Sequence, residues 1–209
     1  MREDAEAVAP FRILVVCSAN VCRSPVVAEL LTREFAAANP DARIEVQSRG
    51  VWAAEGEAAC AEAVALAGLE SLKHSSRRLA PADIAAADLI LTAEQAHRGA
   101  VVEMSLSARR RVFTMREAAA LAQWLADGSP VPEGLDIPPA PQAPLNPQER
   151  LVWWVAELDA GRGLASMGAD TGVDIPDAHS GADHAAVVAQ LGEAVRALGG
   201  GGQRVERGG

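Results

Sequence analysis

Four branched aliphatic residues, Ile13-Leu14-Val15-Val16, run into Cys17, and after Arg23-Ser24-Pro25 an amphipathic stretch extends from Val26 to Phe35. An unbroken apolar run of this length suits a strand buried on both faces, as in parallel sheets. Pro25 fits a first helical turn, where no N–H is needed, and Ser24 fits the N-cap before it. The unit reads as strand, tight loop, helix. Strands are predicted over 12–16, 43–48, 88–92 and 110–114, and helices over 25–38, 57–67, 93–104, 115–126, 148–160 and 182–198, with Gly68 as a helix stop. Alternation of this kind gives an α/β fold. The expected architecture is a single-domain parallel four-stranded sheet of order 2-1-3-4, with right-handed crossovers and helices on both faces. Ligands of such sheets sit at the carboxyl ends of the strands, which is where Cys17 falls.

The loop Cys17-Ser18-Ala19-Asn20-Val21-Cys22-Arg23 places a thiol and a guanidinium six positions apart. Backbone N–H groups of a loop that wraps into a helix N-terminus point inward and form an anion site. Positive potential there favours a thiolate nucleophile. Arg23 offers a planar fork of donors for two phosphoryl oxygens. A ring of N–H donors and one Arg matches the charge that phosphoryl transfer spreads over three equatorial oxygens. Residues 18–24 are the expected phosphate cradle, and the expected chemistry is rupture of a phosphate ester through a phosphocysteine.

At these residues the chain resembles the low-molecular-weight protein tyrosine phosphatases, whose loop reads Cys-x5-Arg-Ser-Pro with Asn third after the nucleophile and a second Cys before the Arg. Gln47-Ser48-Arg49-Gly50 is similar to the family's Ser-Ala-Gly, with Arg49 in place of Ala. His74-Ser75-Ser76-Arg77 is similar to its His-x-x-Arg, Asp88-Leu89-Ile90-Leu91-Thr92 to its third strand, and Ile175-Pro176-Asp177 to its acid segment. The resemblance implies Cys17 as nucleophile, Arg23 as phosphate clamp and Asp177 as general acid. It implies that Asn20, Ser24, Ser48 and His74 hold the loop by hydrogen bonds, and that Ser24 also bonds the Cys17 sulfur. The other carboxylates in the acid region are Asp170, Asp174 (the runner-up) and Asp183, which suits the first turn of the last helix as a dipole partner.

The chain departs from the family in three ways. Ala178-His179 replaces the usual Pro and aromatic after the acid. The chain contains no Tyr, so Trp52 is the best candidate for an aromatic wall against the substrate and His179 a poorer one. Val21 matches the tyrosine-specific branch, whereas the arginine-specific branch tends to carry Thr there. The implied activity is hydrolysis of protein phosphotyrosine. The rival readings are an arsenate reductase on the same fold and a non-catalytic phosphate-binding module.

A net charge of −9 argues against nucleic-acid binding, and no apolar run of membrane-spanning length or signal peptide is present, so a cytoplasmic protein acting on phosphoproteins is expected. Three cysteines argue against a disulfide framework, though Cys17 and Cys22 could pair transiently to shield the nucleophile. Cys60 is expected in a helix core. No His/Cys cluster has metal-ligand spacing, so neither metal nor cofactor is expected. Arg109-Arg110-Arg111 is read as a solvated strand edge; with Arg49 it could also recruit acidic phosphopeptides. The phosphatase domain is expected over 11–198, with flexible tails at 1–10 and 199–209. A proline-rich insertion around 128–149 is a candidate lid or docking surface. The last helix is expected to pack on the sheet through Val187, Val188, Leu191, Val195 and Leu198.

Overall fold

The computed structural model describes residues 9–128, 144–162 and 172–200. Residues 1–8 and 201–209 of the tails and most of the proline-rich insertion lie outside the described residues. The element order is β1 (Phe11–Cys17), α1 (Arg23–Ala38), β2 (Ile44–Gly50), α2 (Ala61–Leu66), α3 (Pro81–Ala86), β3 (Leu89–Thr92), α4 (Gln95–Met104), β4 (Val112–Thr114), α5 (Met115–Ala126), α6 (Pro147–Ala160) and α7 (His184–Gly199). The four strands are parallel in the order β2-β1-β3-β4, as the alternation predicts.

Strand β1 is central because it is apolar on both faces. Phe11, Ile13, Val15 and Cys17 point into one core, with residues of α1, α5, α6 and α7. Leu14 and Val16 point the other way, into a smaller core with α3 and α4. This is the period-2 alternation of a strand covered on both sides. The five named apolar positions of α7 are all buried in the larger core. Gly68 stops α2 as predicted, at φ +67°, a left-handed conformation that glycine adopts without strain.

Two short elements depart from the sequence reading. Pro81 opens α3, whose Ala-rich sequence carries too little apolar periodicity to signal a helix. Leu106–Arg110 forms a 3-10 turn, and β4 begins only at Val112, so the arginine run is not a strand edge. Arg111 turns back to the carbonyls of Ser107 and Ile84.

Helix α6 buries Leu151, Trp154, Val155 and Leu158, one face at i, i+3, i+4 and i+7. Trp154 meets Phe35, twelve residues along α1 from Arg23 and thus about 18 Å from the loop by helical rise. Arg162, just past α6, donates to the carbonyl of Val112 at the start of β4 and lies 3.9 Å over the Phe113 ring. The part of the insertion region that is described therefore covers the end of the sheet opposite Cys17. Residues 129–143, on which the lid expectation mainly rests, lie outside the described residues.

Candidate active site

The loop between β1 and α1 turns its carbonyls outward. Cys17 O accepts from Val51 N (2.9 Å), Ser18 O from Trp52 N (2.9 Å) and Val21 O from Cys60 N (2.8 Å). His74 Nε2 donates to Asn20 O at 2.6 Å. In a trans peptide the next N–H points opposite to the carbonyl, so the amides of Ser18, Ala19, Val21 and Cys22 face the inside of the loop. Such a nest is an anion cradle.

Asn20 is the hinge of this shape. It is buried and sits at φ +56°, which Asn tolerates better than most residues. Its amide nitrogen donates to Ser24 Oγ and Ser48 Oγ, both at 2.9 Å, and its amide oxygen accepts from Arg77 N at 2.8 Å. Ser24 is not the helix cap that its position suggested. Helix α1 already begins at Arg23, and the Ser24 hydroxyl stands 3.0 Å from Cys17 Sγ instead. Asn20 thus meets Ser24 and Ser48 through its side chain and His74 through its carbonyl. Arg49, by contrast, is tied down by Asp83, the Ser48 carbonyl and Gln47, so it does not reach toward a peptide.

Arg23 is 1% exposed. A buried charge needs partners, and Arg23 has four. One nitrogen pairs with Glu94 and donates to the Ile175 carbonyl at 2.8 Å. The other donates to Asp177 Oδ2 at 2.8 Å and Ser18 Oγ at 3.0 Å. The acid segment is carried to this place by backbone contacts. Ile175 N donates to Ala93 O at the end of β3, and Asp174 accepts from Gln95 N at the start of α4. Asp174 is thereby used as a cap, Asp183 caps α7 through Ala186 N, and Asp177 alone of the described candidates faces Arg23. Asp170 lies outside the described residues.

Two site residues escaped the sequence reading. Glu94 sits at the N-cap of α4 and pairs with Arg23. His97 is fully buried and shares a hydrogen bond with Ser18 Oγ at 2.9 Å. Burial lowers the His97 pKa below its usual 6.5, and Arg23 lowers it further, against an opposing pull from Glu94. Neither residue lies in a motif; the only sequence signal is their place just past the end of a parallel strand. Trp52 projects from the loop rim at 62% exposure, with its ring 5.9 Å from that of His97. An opening of about 500 Å³ beside Ser18 is lined by Glu94, Asp174, Pro176 and Asp177.

His179 does not join Trp52 as a wall. Its ring turns to His184, edge-on at 5.2 Å. Cys60 is not a core residue either: it is half-buried, at the N-cap of α2, with Sγ 3.6 Å from His184 Nε2. Cys22, Cys60, His179 and His184 stand together in space, although as a set they have no metal-ligand spacing in the sequence. The four positions are scattered in sequence, and the fold alone unites them. All three cysteines are free, and burial, helped by neighbouring Cys60 and Cys17, pushes the Cys22 thiol up to about 12.

Residues 12–124 match the family of low molecular weight phosphotyrosine protein phosphatases. The chain belongs to this family. A protein-arginine-phosphatase of Geobacillus stearothermophilus is 35% identical over 111 residues, covering 52% of this chain and 71% of that protein. The low molecular weight protein-tyrosine-phosphatase PtpB of Staphylococcus epidermidis is 34% identical over 117 residues, covering 56% of this chain and 79% of that protein. Among solved structures, a Cys-to-Ser mutant of the YwlE arginine phosphatase with a phosphorylated active-site serine shares the fold. Its TM-score is 0.61 at 19% identity, over 94% of this chain and 98% of that one. The chain is accordingly a member of a family of cysteine-dependent phosphatases. Among the described residues no helix is long and apolar enough to cross a membrane.

Proposed function

We propose that the protein hydrolyses phosphate monoesters, foremost phosphotyrosine on cytoplasmic phosphoproteins, through a phosphocysteine on Cys17. The observation that carries this reading is the convergence of Cys17, the loop amides, Arg23 and Asp177 at the carboxyl end of β1. In the proposed reaction the loop amides and Arg23 hold the phosphoryl oxygens. Cys17 Sγ attacks phosphorus as the bond to the leaving oxygen breaks, and Asp177 gives that oxygen a proton. Asp177 then takes a proton from water, whose oxygen attacks phosphorus. The S–P bond breaks, phosphate leaves and the Cys17 thiolate is restored, with the Ser24 hydroxyl hydrogen-bonded to it.

Trp52 at the rim supports an aryl substrate, as does Val21 in the loop. A phosphoarginine substrate is the second reading: Glu94, Asp174 and Asp177 rim the opening and suit a guanidinium.

The test compares wild type, Cys17→Ser and Asp177→Asn on an aryl phosphate, a phosphotyrosine peptide and a phosphoarginine peptide, with arsenate reduction alongside. The reading expects Cys17→Ser to be inactive. It expects Asp177→Asn to lose kcat by roughly 10²–10⁴ while still binding phosphate. Turnover of phosphoarginine alone selects the second substrate. Arsenate reduction without ester hydrolysis refutes the hydrolase reading, and undiminished turnover by Asp177→Asn refutes the acid assignment.

A further inference from the structure

We propose that Cys22, Cys60, His179 and His184 form a tetrahedral Cys2His2 site for Zn²⁺, which clamps the segment after Asp177 to the loop that carries Arg23. The four side chains come from four separate parts of the chain: the loop after β1, the start of α2, the turn after Asp177 and the start of α7. Their ligand atoms all lie within 4.8 Å of one another. Zinc bonds of about 2.3 Å to sulfur and 2.0–2.1 Å to nitrogen put tetrahedral ligand atoms roughly 3.3–3.8 Å apart. The Cys60 Sγ to His184 Nε2 distance of 3.6 Å already has that value, and exposed His179 is free to close the remainder.

The surroundings of His184 point the same way. Its Nε2 faces the cluster, while its Nδ1 stands 3.5 Å from Glu62 Oε2. A ligating imidazole commonly gives its second ring N–H to a carboxylate, which fixes the tautomer and the ring direction. The donor set also selects the metal. Two thiolates and two imidazoles in a tetrahedron suit Zn²⁺ rather than Mg²⁺ or Ca²⁺, and two thiolates neutralise the ion in a partly buried place. His179-x4-His184 has the spacing of the histidine half of many zinc sites. The cysteines, far apart in sequence, hid the other half. Bound metal would join the residue before Arg23 to the residue two after Asp177, and it would withhold Cys22 from any bond with Cys17.

The site is read independently of the phosphatase reaction. Purified full-length protein is titrated with Zn²⁺ against a chelating dye, and with Co²⁺ as a spectroscopic stand-in. The expected result is one metal per chain, thiolate-to-Co²⁺ charge transfer in the near ultraviolet, ligand-field bands of tetrahedral intensity, and a Tm that rises with Zn²⁺. Cys60→Ser and His184→Ala should abolish stoichiometric binding and the Tm rise. Glu62→Gln, on an exposed side chain, should retain the fold and weaken Zn²⁺ by roughly 10–100-fold. Cys17→Ser should keep the metal, which separates this site from the nucleophile. No stoichiometric Zn²⁺ in wild type, a Co²⁺ complex without thiolate charge transfer, or unchanged affinity in folded Cys60→Ser and Glu62→Gln would each overturn the proposal.

Discussion

Gly50 is where strand β2 meets the phosphate loop, and replacing it with Ala isolates how tightly loop shape controls turnover. A Cβ at this position would lie 2.6 Å from Ser18 O, 2.7 Å from Asn20 N and 2.9 Å from the Ala19 carbonyl carbon. All three are backbone atoms, so no side chain can swing away. Gly50 does not use the left-handed φ region, so the penalty is steric alone. Ordinary contact begins near 3.4 Å, so the loop must retreat by about 0.8 Å. Overpacking of this kind costs about 1–3 kcal/mol. A displacement near 1 Å of groups that align a reaction costs about 10²-fold in rate. Gly50→Ala is therefore expected to lower kcat/KM on an aryl phosphate by about 10²-fold, to weaken inhibition by phosphate, and to lower Tm by roughly 2–4 °C per kcal/mol. Gly99→Ala serves as the control: it lies inside α4 with nothing within 4 Å of the added Cβ, and it should gain up to about 1 kcal/mol. Turnover of Gly50→Ala within twofold of wild type, with an unchanged phosphate constant, would refute the claim that this glycine sets the loop.

Asn20→Ala removes three side-chain hydrogen bonds, one buried and two partly buried, and leaves Ala at φ +56°, for a loss of roughly 3 kcal/mol in denaturant unfolding; Asn20→Gly, which keeps the φ, should recover about 1 kcal/mol of it. His97, held neutral by burial, contributes stability that is full above pH 6.5 and drains away as pH falls from there through its lower folded pKa, because the unfolded chain takes up the proton first. The difference in unfolding free energy between wild type and His97→Gln should therefore shrink as pH is lowered from 7 to 5, and a difference independent of pH would contradict the assignment. Trp52→Ala should raise KM for aryl phosphates about 2–10-fold, the worth of one aromatic contact, with Tm unchanged because the ring is 62% exposed.

The sheet and its order were legible because β1 and β3 are short apolar runs between helix patterns, and a βα alternation admits few topologies. The loop was legible for a related reason: Cys17, Arg23 and Pro25 each have one obvious use at a strand-to-helix turn. What escaped was whatever depends on tertiary placement. Ser24 has the identity and position of a cap, yet its hydroxyl is drawn to Cys17 and Asn20, since the helix starts at Arg23, two residues before the predicted start at Pro25. Glu94 and His97 belong to no motif and acquire meaning only because the end of β3 lies beside β1. Cys60 and His184 are 124 positions apart, and no spacing rule spans such a gap. Asp174 and Asp177 differ by three residues; the resemblance of Ile175-Pro176-Asp177 ranked them, and what each one meets, a backbone amide for Asp174 and a guanidinium for Asp177, became visible only in the fold.

The burial of Arg23 bears on the order of events at the site. A guanidinium this deeply enclosed cannot be left without anions, so its two carboxylates are part of the folded structure rather than decoration. On the proposed reaction a phosphoryl group brings its own negative charge to the same nitrogens. It need displace only one carboxylate, and the two are not equivalent. Glu94 shares its nitrogen with the Ile175 carbonyl and sits on the helix that follows β3, whereas Asp177 sits at the start of a three-residue turn. Asp177 is thus the carboxylate that yields. Once it leaves Arg23 its carboxyl is freed from the guanidinium, just when the proposed proton transfer requires it beside the leaving oxygen. Capture of phosphate and readiness of the acid are then a single step, in which one anion replaces another on Arg23. Glu94 would hold the guanidinium in place throughout. Glu94→Gln should consequently lower kcat and weaken inhibition by phosphate, because the fork is no longer fixed in orientation, and tighter phosphate binding by Glu94→Gln would refute this division of roles.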